Sequence, residues 1–221
     1  MNNMKRILSL FITILLVLSL ASGCKKMPAV DKNIKPGEHF SQYDKLVQLY
    51  GTPWRDALKE LDIDIQDVKL DGLNMGIPLQ DTYADIDFDI MLRFGGEGEY
   101  LYDVEYTATY QYPEDEVKLL RDLVKINREL ISDFGKASDT SFVFNWAEKM
   151  LGEEWNRDIS YWQDMQILKR LLDEEYSGYI LFWNLDSVAT QNIKDMGVTH
   201  GLSVHVYINQ DDGTADITIS Y

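Results

Sequence analysis

Residues 84–112, ADIDFDIMLRFGGEGEYLYDVEYTATYQY, decide the fold. From 85 to 94 the side chains alternate strictly, with Ile86, Phe88, Ile90, Leu92 and Phe94 on one side and Asp85, Asp87, Asp89, Met91 and Arg93 on the other. Successive residues of a strand point to opposite faces, so this pattern predicts a strand with one face buried. After the glycine-rich turn at 95–99 the alternation resumes, with Tyr100, Tyr102, Val104, Tyr106, Ala108, Tyr110 and Tyr112 against Leu101, Asp103, Glu105, Thr107, Thr109 and Gln111. Setting Phe94 opposite Tyr100 gives the pairs Leu92/Tyr102, Ile90/Val104, Phe88/Tyr106 and Ile86/Ala108, all apolar or aromatic. A hairpin with one apolar face needs a cover.

The best cover follows immediately. Pro113 ends the second strand, and Glu114, Asp115 and Glu116 place negative charge where a helix N-terminus favours it. Val117, Leu120, Leu123, Val124, Leu130, Ile131 and Phe134 then form a stripe at three-and-four spacing, with Gly135 as the C-terminal stop. Upstream, Ser41 with Asp44 resembles a capping box opening a short helix that Gly51 stops, and Pro53 suits the first turn of a second helix through Trp54, Ala57, Leu58 and Leu61. A strand is expected at 62–70, and a loop at 71–81 punctuated by Gly72, Gly76 and Pro78.

Downstream, 142–155 is expected to be partly helical and 160–175 to form an amphipathic helix. The run 179–185 is a buried strand bounded by Gly178 and Asp186, and a helical turn is expected near 188–193. Leu202, Val204, Val206 and Ile208 alternate with Ser203, His205, Tyr207 and Asn209, and Asp212-Gly213 is the favoured dipeptide of a two-residue hairpin. That turn sets Ile208/Ile217, Val206/Ile219 and Val204/Tyr221 as pairs. The expectation is an α+β fold: antiparallel sheet built from two hairpins plus one or two further strands, covered on one face by amphipathic helices. A helix ending in an aromatic plus glycine occurs twice, at Tyr50-Gly51 and Phe134-Gly135, each time ahead of an alternating hairpin. A duplicated helix plus three-strand unit (halves 41–112 and 113–221) and convergence on common helix-stop chemistry both fit.

The N-terminus carries a different kind of signal. Lys5 and Arg6 precede an apolar run at 7–21, short for a membrane span and right for the core of a signal peptide. The run stops at Leu20-Ala21-Ser22-Gly23-Cys24, which resembles the lipobox of bacterial lipoproteins; Ala21 stands where that pattern most often has Leu. The resemblance implies removal of 1–23 and lipidation of Cys24, hence a membrane partner through the acyl chains and an extracytoplasmic location. Cys24 is the sole cysteine, so no intramolecular disulfide can form. Residues 24–39 are expected to be a flexible tether and 40–221 a single domain. The helix, its Gly-x-Pro/Ala stop and the alternating strand leading to Tyr221 look similar to small uncharacterised lipoproteins of Gram-positive bacteria, a likeness that implies no catalytic motif.

Composition narrows function. The formal charge of -16 at pH 7 becomes more negative once Lys5 and Arg6 are removed, which argues against nucleic acid as a partner, since binding there depends on basic patches. The sequence lacks a Gly-x-Ser-x-Gly elbow, a phosphate loop, an HExxH motif and a dinucleotide fingerprint. His39 falls in the expected tether, while His200 and His205 project to opposite faces of one strand and make no ready metal pair. No cofactor is implied. The one concentration of charge with a location is the polar side of the first hairpin, where the register above sets Asp89 opposite Glu105 with Asp85, Asp87 and Asp103 beside them. A solvated face, a surface for a basic protein or peptide, and a calcium site all fit. The leading expectation is a noncatalytic binding or interaction module; an envelope hydrolase using Asp and Glu carboxylates and a small solute-binding lipoprotein are the alternatives.

The anchor is testable directly. Metabolic labelling with a fatty-acid analogue should mark the wild type and leave Cys24→Ser blank, because no other thiol can accept the lipid. Undiminished label in the variant would sink the lipoprotein assignment.

Overall fold

The computed structural model describes residues 35–71, 74–95, 99–138, 178–209 and 211–221. Strands β1 (Lys69–Asp71), β2 (Asn74–Tyr83), β3 (Ile86–Gly95) and β4 (Tyr100–Gln111) run as a meander, and β5 (Gly178–Asn184), β6 (Gly201–Asn209) and β7 (Thr214–Ser220) form a second one. All join one seven-stranded sheet in the order β1-β2-β3-β4-β7-β6-β5, every neighbouring pair antiparallel. The last strand of each meander therefore meets the other at the centre. Four α-helices accompany the sheet among the described residues: α1 (Tyr43–Val47), α2 (Trp54–Leu61), α3 (Glu116–Phe134) and α4 (Gln191–Met196).

Hydrophobic alternation explains the placement. Ile86, Phe88, Ile90, Leu92 and Phe94 are all buried, as are Val104, Tyr106, Ala108 and Tyr110 on β4 and Ala215, Ile217 and Ile219 on β7. Helix α3 turns Leu119, Leu123, Ile126, Leu130 and Phe134 inward, one flank of a 3.6-residue period. Phe40 stacks on Tyr83 at 4.6 Å and lies within 6.5 Å of the Tyr106, Phe134 and Tyr221 rings, tying the start of the described chain to both meanders. Offset aromatic pairs of this kind add to the area that they bury.

The register of the first hairpin differs from the expected one. Phe94 pairs with Leu101 and Arg93 with Asp103, so Tyr102 is an extra residue on β4, a β-bulge. The bulge reverses the phase of everything before it: Leu101 is buried, whereas Tyr100 and Tyr102 are 45% and 46% exposed. Beyond it Leu92 pairs with Val104 and Ile90 with Tyr106. The second hairpin closes through a longer connection, with Asn209 opposite Thr214, which makes the pairs Ile208/Ala215, Val206/Ile217 and Val204/Ile219. That shift is even, so the buried face is unchanged.

Other local expectations are corrected as well. Residues 74–81, expected to be loop, belong to β2, because Pro78 sits in an irregularity between Ile77 and Gln80 where its missing N–H costs no ladder bond. The expected strand at 62–70 is instead irregular chain around a 3-10 turn, Ile65–Asp67, with strand only at β1. Ser41 does not cap α1; its hydroxyl donates to Asp81 on β2 at 2.9 Å, and the same carboxylate accepts the Gln42 N–H at 3.2 Å. Residues 36–39, expected to belong to a flexible tether, are ordered instead: Pro36–Glu38 forms a 3-10 turn with Pro36 buried, and His39 packs against Phe134. Val117, placed in the apolar stripe, is 58% exposed, and Leu119 and Ile126 are buried instead. Cys24 and the helices expected in 142–155 and 160–175 lie outside the described residues.

The face of α3 can be checked by urea denaturation. Leu123→Ala should cost about 2–5 kcal/mol, because the vacated volume is enclosed, while Val117→Ala should stay within about 0.5 kcal/mol. Equal losses would mean that the helix presents another side to the sheet.

Candidate functional site

The β3–β4 ladder runs from Gly95/Tyr100 down to Asp89/Thr107; β3 residues before Asp89 pair with β2, and β4 residues after Thr107 pair with β7. Where those partnerships diverge, a groove of about 450 Å³ opens, lined by Asp85, Asp87, Asp89 and, from α3, Lys118, Asp122 and Lys125. Asp87 and Asp89 project outward by strand alternation, while Asp85 sits in the β2–β3 turn at φ +52°. Each carboxylate is oriented by one neighbour. Gln80 Nε2 donates to Asp89 at 2.8 Å, Thr82 Oγ1 to Asp87 at 2.8 Å, and Lys125 Nζ lies 2.6 Å from Asp85. The hydrogen bond from Lys125 and its charge hold the Asp85 carboxyl below its ordinary range. Each carboxylate keeps acceptor capacity for a cationic ligand.

Asp103 and Glu105 do not join that group. Asp89 faces Thr107 rather than Glu105, and Arg93 faces Asp103. Arg93 Nη2 lies 2.8 Å from Glu105 Oε1, and Arg93 Nε lies 4.0 Å from Asp103 Oδ2. Burial pushes Glu105 upward against the pull of Arg93; burial and the Glu105 charge push Asp103 up to about 7. The five carboxylates thus divide into an exposed trio and a shielded pair around Arg93. A signal for this was present in the sequence. Setting Arg93 opposite Asp103 joins opposite charges, whereas Asp89 opposite Glu105 joins like ones.

The three histidines are separate. His39 Nδ1 lies 3.1 Å from Asp133 Oδ2, at the end of α3. His205 shares a hydrogen bond of 2.8 Å with Ser203 Oγ, which shares another with Ser220 Oγ. Burial and the Arg93 charge lower His205 to about 4, so it is a poor base for activating a hydroxyl near neutral pH. His200 is buried on the opposite face and shares a 2.6 Å hydrogen bond with the Tyr43 hydroxyl. Beside it the Tyr106 and Tyr221 hydroxyls share a bond of 2.9 Å, and burial raises the pKa of Tyr43, Tyr50, Tyr106 and Tyr221 alike. Period-two alternation marked Tyr106 as buried, but the partnership of Tyr43 with His200 spans 157 residues and had no local signal.

Among the described residues no three His, Cys, Asp or Glu side chains gather as a metal site, and no helix is long and apolar enough to cross a membrane. No protein family, curated protein or solved structure matches this chain.

Burial holds His200 neutral down to about 4, although the Asp186 charge opposes the shift. An unfolded histidine titrates near 6.5, so on acidification the unfolded chain binds the proton first, and stability present above about pH 6.5 is lost towards pH 4. Asp103 acts with the opposite sign, because its raised pKa lets the folded state protonate first. The readout is therefore a difference between variants. The advantage of wild type over His200→Gln in urea unfolding should shrink by roughly 2–3 kcal/mol between pH 7 and pH 4.5. A pH-independent difference would mean that His200 is not held neutral by the fold.

Proposed function

We propose that the protein is a membrane-anchored extracytoplasmic lipoprotein whose folded part is a noncatalytic binding module, with the groove between β3, β4 and α3 as the face for a basic protein or peptide. The observation that carries this reading is the divergence of two strands into an open groove with Asp85, Asp87 and Asp89 along one wall. A cationic segment laid there meets oriented carboxylates, and the negative charge of the whole chain steers it in. Lys118 and Lys125 on the α3 side partly offset those carboxylates and set a polarity along the groove. The anchor rests on the Leu20–Cys24 resemblance, and acyl chains on Cys24 would hold the module at the membrane face.

We read the sheet as two copies of a helix plus three-strand unit, hairpins covered on one face by amphipathic helices. Supporting this, β2-β3-β4 come after α1, the helix ahead of Tyr50-Gly51, with α2 and β1 between, β5-β6-β7 come after α3, and the order β2-β3-β4-β7-β6-β5 is symmetric about the β4–β7 pair. An antiparallel pairing of equivalent strands is what a local two-fold axis through the sheet would produce.

A fluorescent hexalysine peptide tests the groove. Its affinity should fall at least tenfold between about 50 and 200 mM salt, since exposed charges are screened within a Debye length of about 8 Å at physiological ionic strength. The double variant Asp87→Asn with Asp89→Asn should lose most of that binding at unchanged or slightly higher stability. Retained binding in the double variant would end the groove assignment.

A further inference from the structure

We infer that the groove between β3, β4 and α3 also binds the main chain of its partner, and that the Thr109 N–H and the Asp87 C=O are the groups that hold it. The inference rests on the reading of that groove as a face for a basic peptide, and it adds a requirement. The partner must present a secondary amide beside its cationic side chains, as an extended peptide does and a simple polyamine does not.

Hydrogen-bond direction along the two strands locates these groups. Antiparallel pairs alternate between those that exchange two backbone hydrogen bonds and those that exchange none, so one fixed pair sets the direction of every residue in a regular strand. On β4 the fixed pair is Val104 with Tyr221, which exchange bonds of 3.3 and 3.1 Å. Val104 therefore turns its backbone groups towards β7, as do Tyr106, Ala108 and Tyr110, while Glu105, Thr107 and Thr109 turn theirs towards β3. On β3 the turn before it supplies the fixed pair. Ala84 and Asp85 have φ of +53° and +52°, the two-residue turn that makes Tyr83 and Ile86 a hydrogen-bonded pair. Ile86 and Phe88 thus turn towards β2, and Asp87 and Asp89 towards β4. The two derivations agree at Asp89/Thr107, the last pair of the β3–β4 ladder.

One step further, Asp87 would face Thr109, and there the ladder stops. Among the described residues Asp87 has only Thr82 as a register partner and Thr109 only Asp216. A bond from the Thr109 N–H to the Asp87 C=O would extend the ladder to Phe88 and Ala108, which are not partners. Both residues are exposed and both line the groove. Gln111, the next residue of β4 that turns the same way, is satisfied within the chain: its N–H goes to the Asp115 carboxylate at 3.3 Å and its C=O accepts the Asp115 N–H at 2.7 Å. The open edge is therefore confined to the step that borders the groove.

An open strand edge is a template for another extended chain. One peptide unit suffices here, because its C=O and N–H point in opposite directions: the C=O accepts from Thr109 on β4 and the N–H donates to Asp87 on β3. The ladder closes at Asp89/Thr107, so the opening takes one such unit rather than a whole strand. A lysine next to that unit meets the outward carboxylates of Asp87 and Asp89. These are held by the neutral donors Thr82 and Gln80, whereas Asp85 already has Lys125. A polyamine without amides reaches the carboxylates and leaves the edge unfilled, and a neutral peptide fills the edge without the carboxylates.

Amide hydrogen exchange and competition binding on the purified full chain test the contact. In the unliganded chain the Thr109 N–H should exchange faster than those of Ala108 and Tyr110, which turn to β7. Hexalysine should slow exchange at Thr109, and an amide-free linear polyamine should not. Hexalysine methylated at every backbone nitrogen keeps its charge and loses its N–H groups, and it should bind about tenfold more weakly than hexalysine. Protection of Thr109 equal to that of its neighbours in the unliganded chain, unchanged exchange there in the hexalysine complex, or equal affinity for the methylated peptide would each overturn the main-chain contact. If hexalysine binding is lost in Asp87→Asn with Asp89→Asn, those results leave the groove assignment standing. Hexalysine binding that survives the double variant would overturn the groove and the contact together.

Discussion

The pairing of β4 with β7 is the constraint on which the rest of the molecule depends. It joins two meanders that are otherwise separate runs of local hairpins, through the ladder from Glu105/Ser220 to Gln111/Thr214. Tyr221 extends the ladder, exchanging backbone hydrogen bonds with Val104 in both directions, and its hydroxyl meets that of Tyr106. Closing a contact between residues so far apart in sequence costs chain entropy before any burial offsets it. The compensation is visible in the composition of the seam. Tyr106, Ala108 and Tyr110 on one strand and Ala215, Ile217 and Ile219 on the other are all buried, and Phe40 and Tyr43 pack onto Tyr221 from the first segment of the described chain.

Parity explains which features were legible in the sequence and which were not. Side chains alternate with a period of two, so an error of two residues in the closing hairpin left its buried face intact, whereas the single extra residue at Tyr102 turned Tyr100 and Tyr102 from core to surface. The bulge has no compositional mark, because Leu-Tyr continues the alternation on either phase. Charge carried the missing information. Arg93 opposite Asp103 is the register that opposes unlike charges, and weighing that pair above the aromatic pattern selects the observed ladder. Strand β2 was hidden for the opposite reason: Gly76 and Pro78 carry turn signals, yet Pro78 occupies an irregularity and Gly76 lies close against Lys69 of the neighbouring strand.

The candidate sites divide in the same way. Asp87 and Asp89 face outward on β3 as alternation alone places them, whereas Asp85, expected on the same strand, sits in the β2–β3 turn. What the sequence could not supply is the divergence of β3 from β4 that opens a groove beside them, since it depends on β4 taking β7 as its partner.

A chain this acidic must place its carboxylates somewhere, and the two regions show that burial, more than number, sets what a carboxylate can do. In the groove, three exposed aspartates are screened by water and salt and held by single neutral or cationic neighbours, so their contribution is long-ranged, weak per group and sensitive to ionic strength. Near Arg93, two shielded carboxylates share one guanidinium, and burial raises the pKa of both, aided at Asp103 by the Glu105 charge and opposed at each by Arg93. The first arrangement suits recruitment of a flexible cationic partner over many orientations.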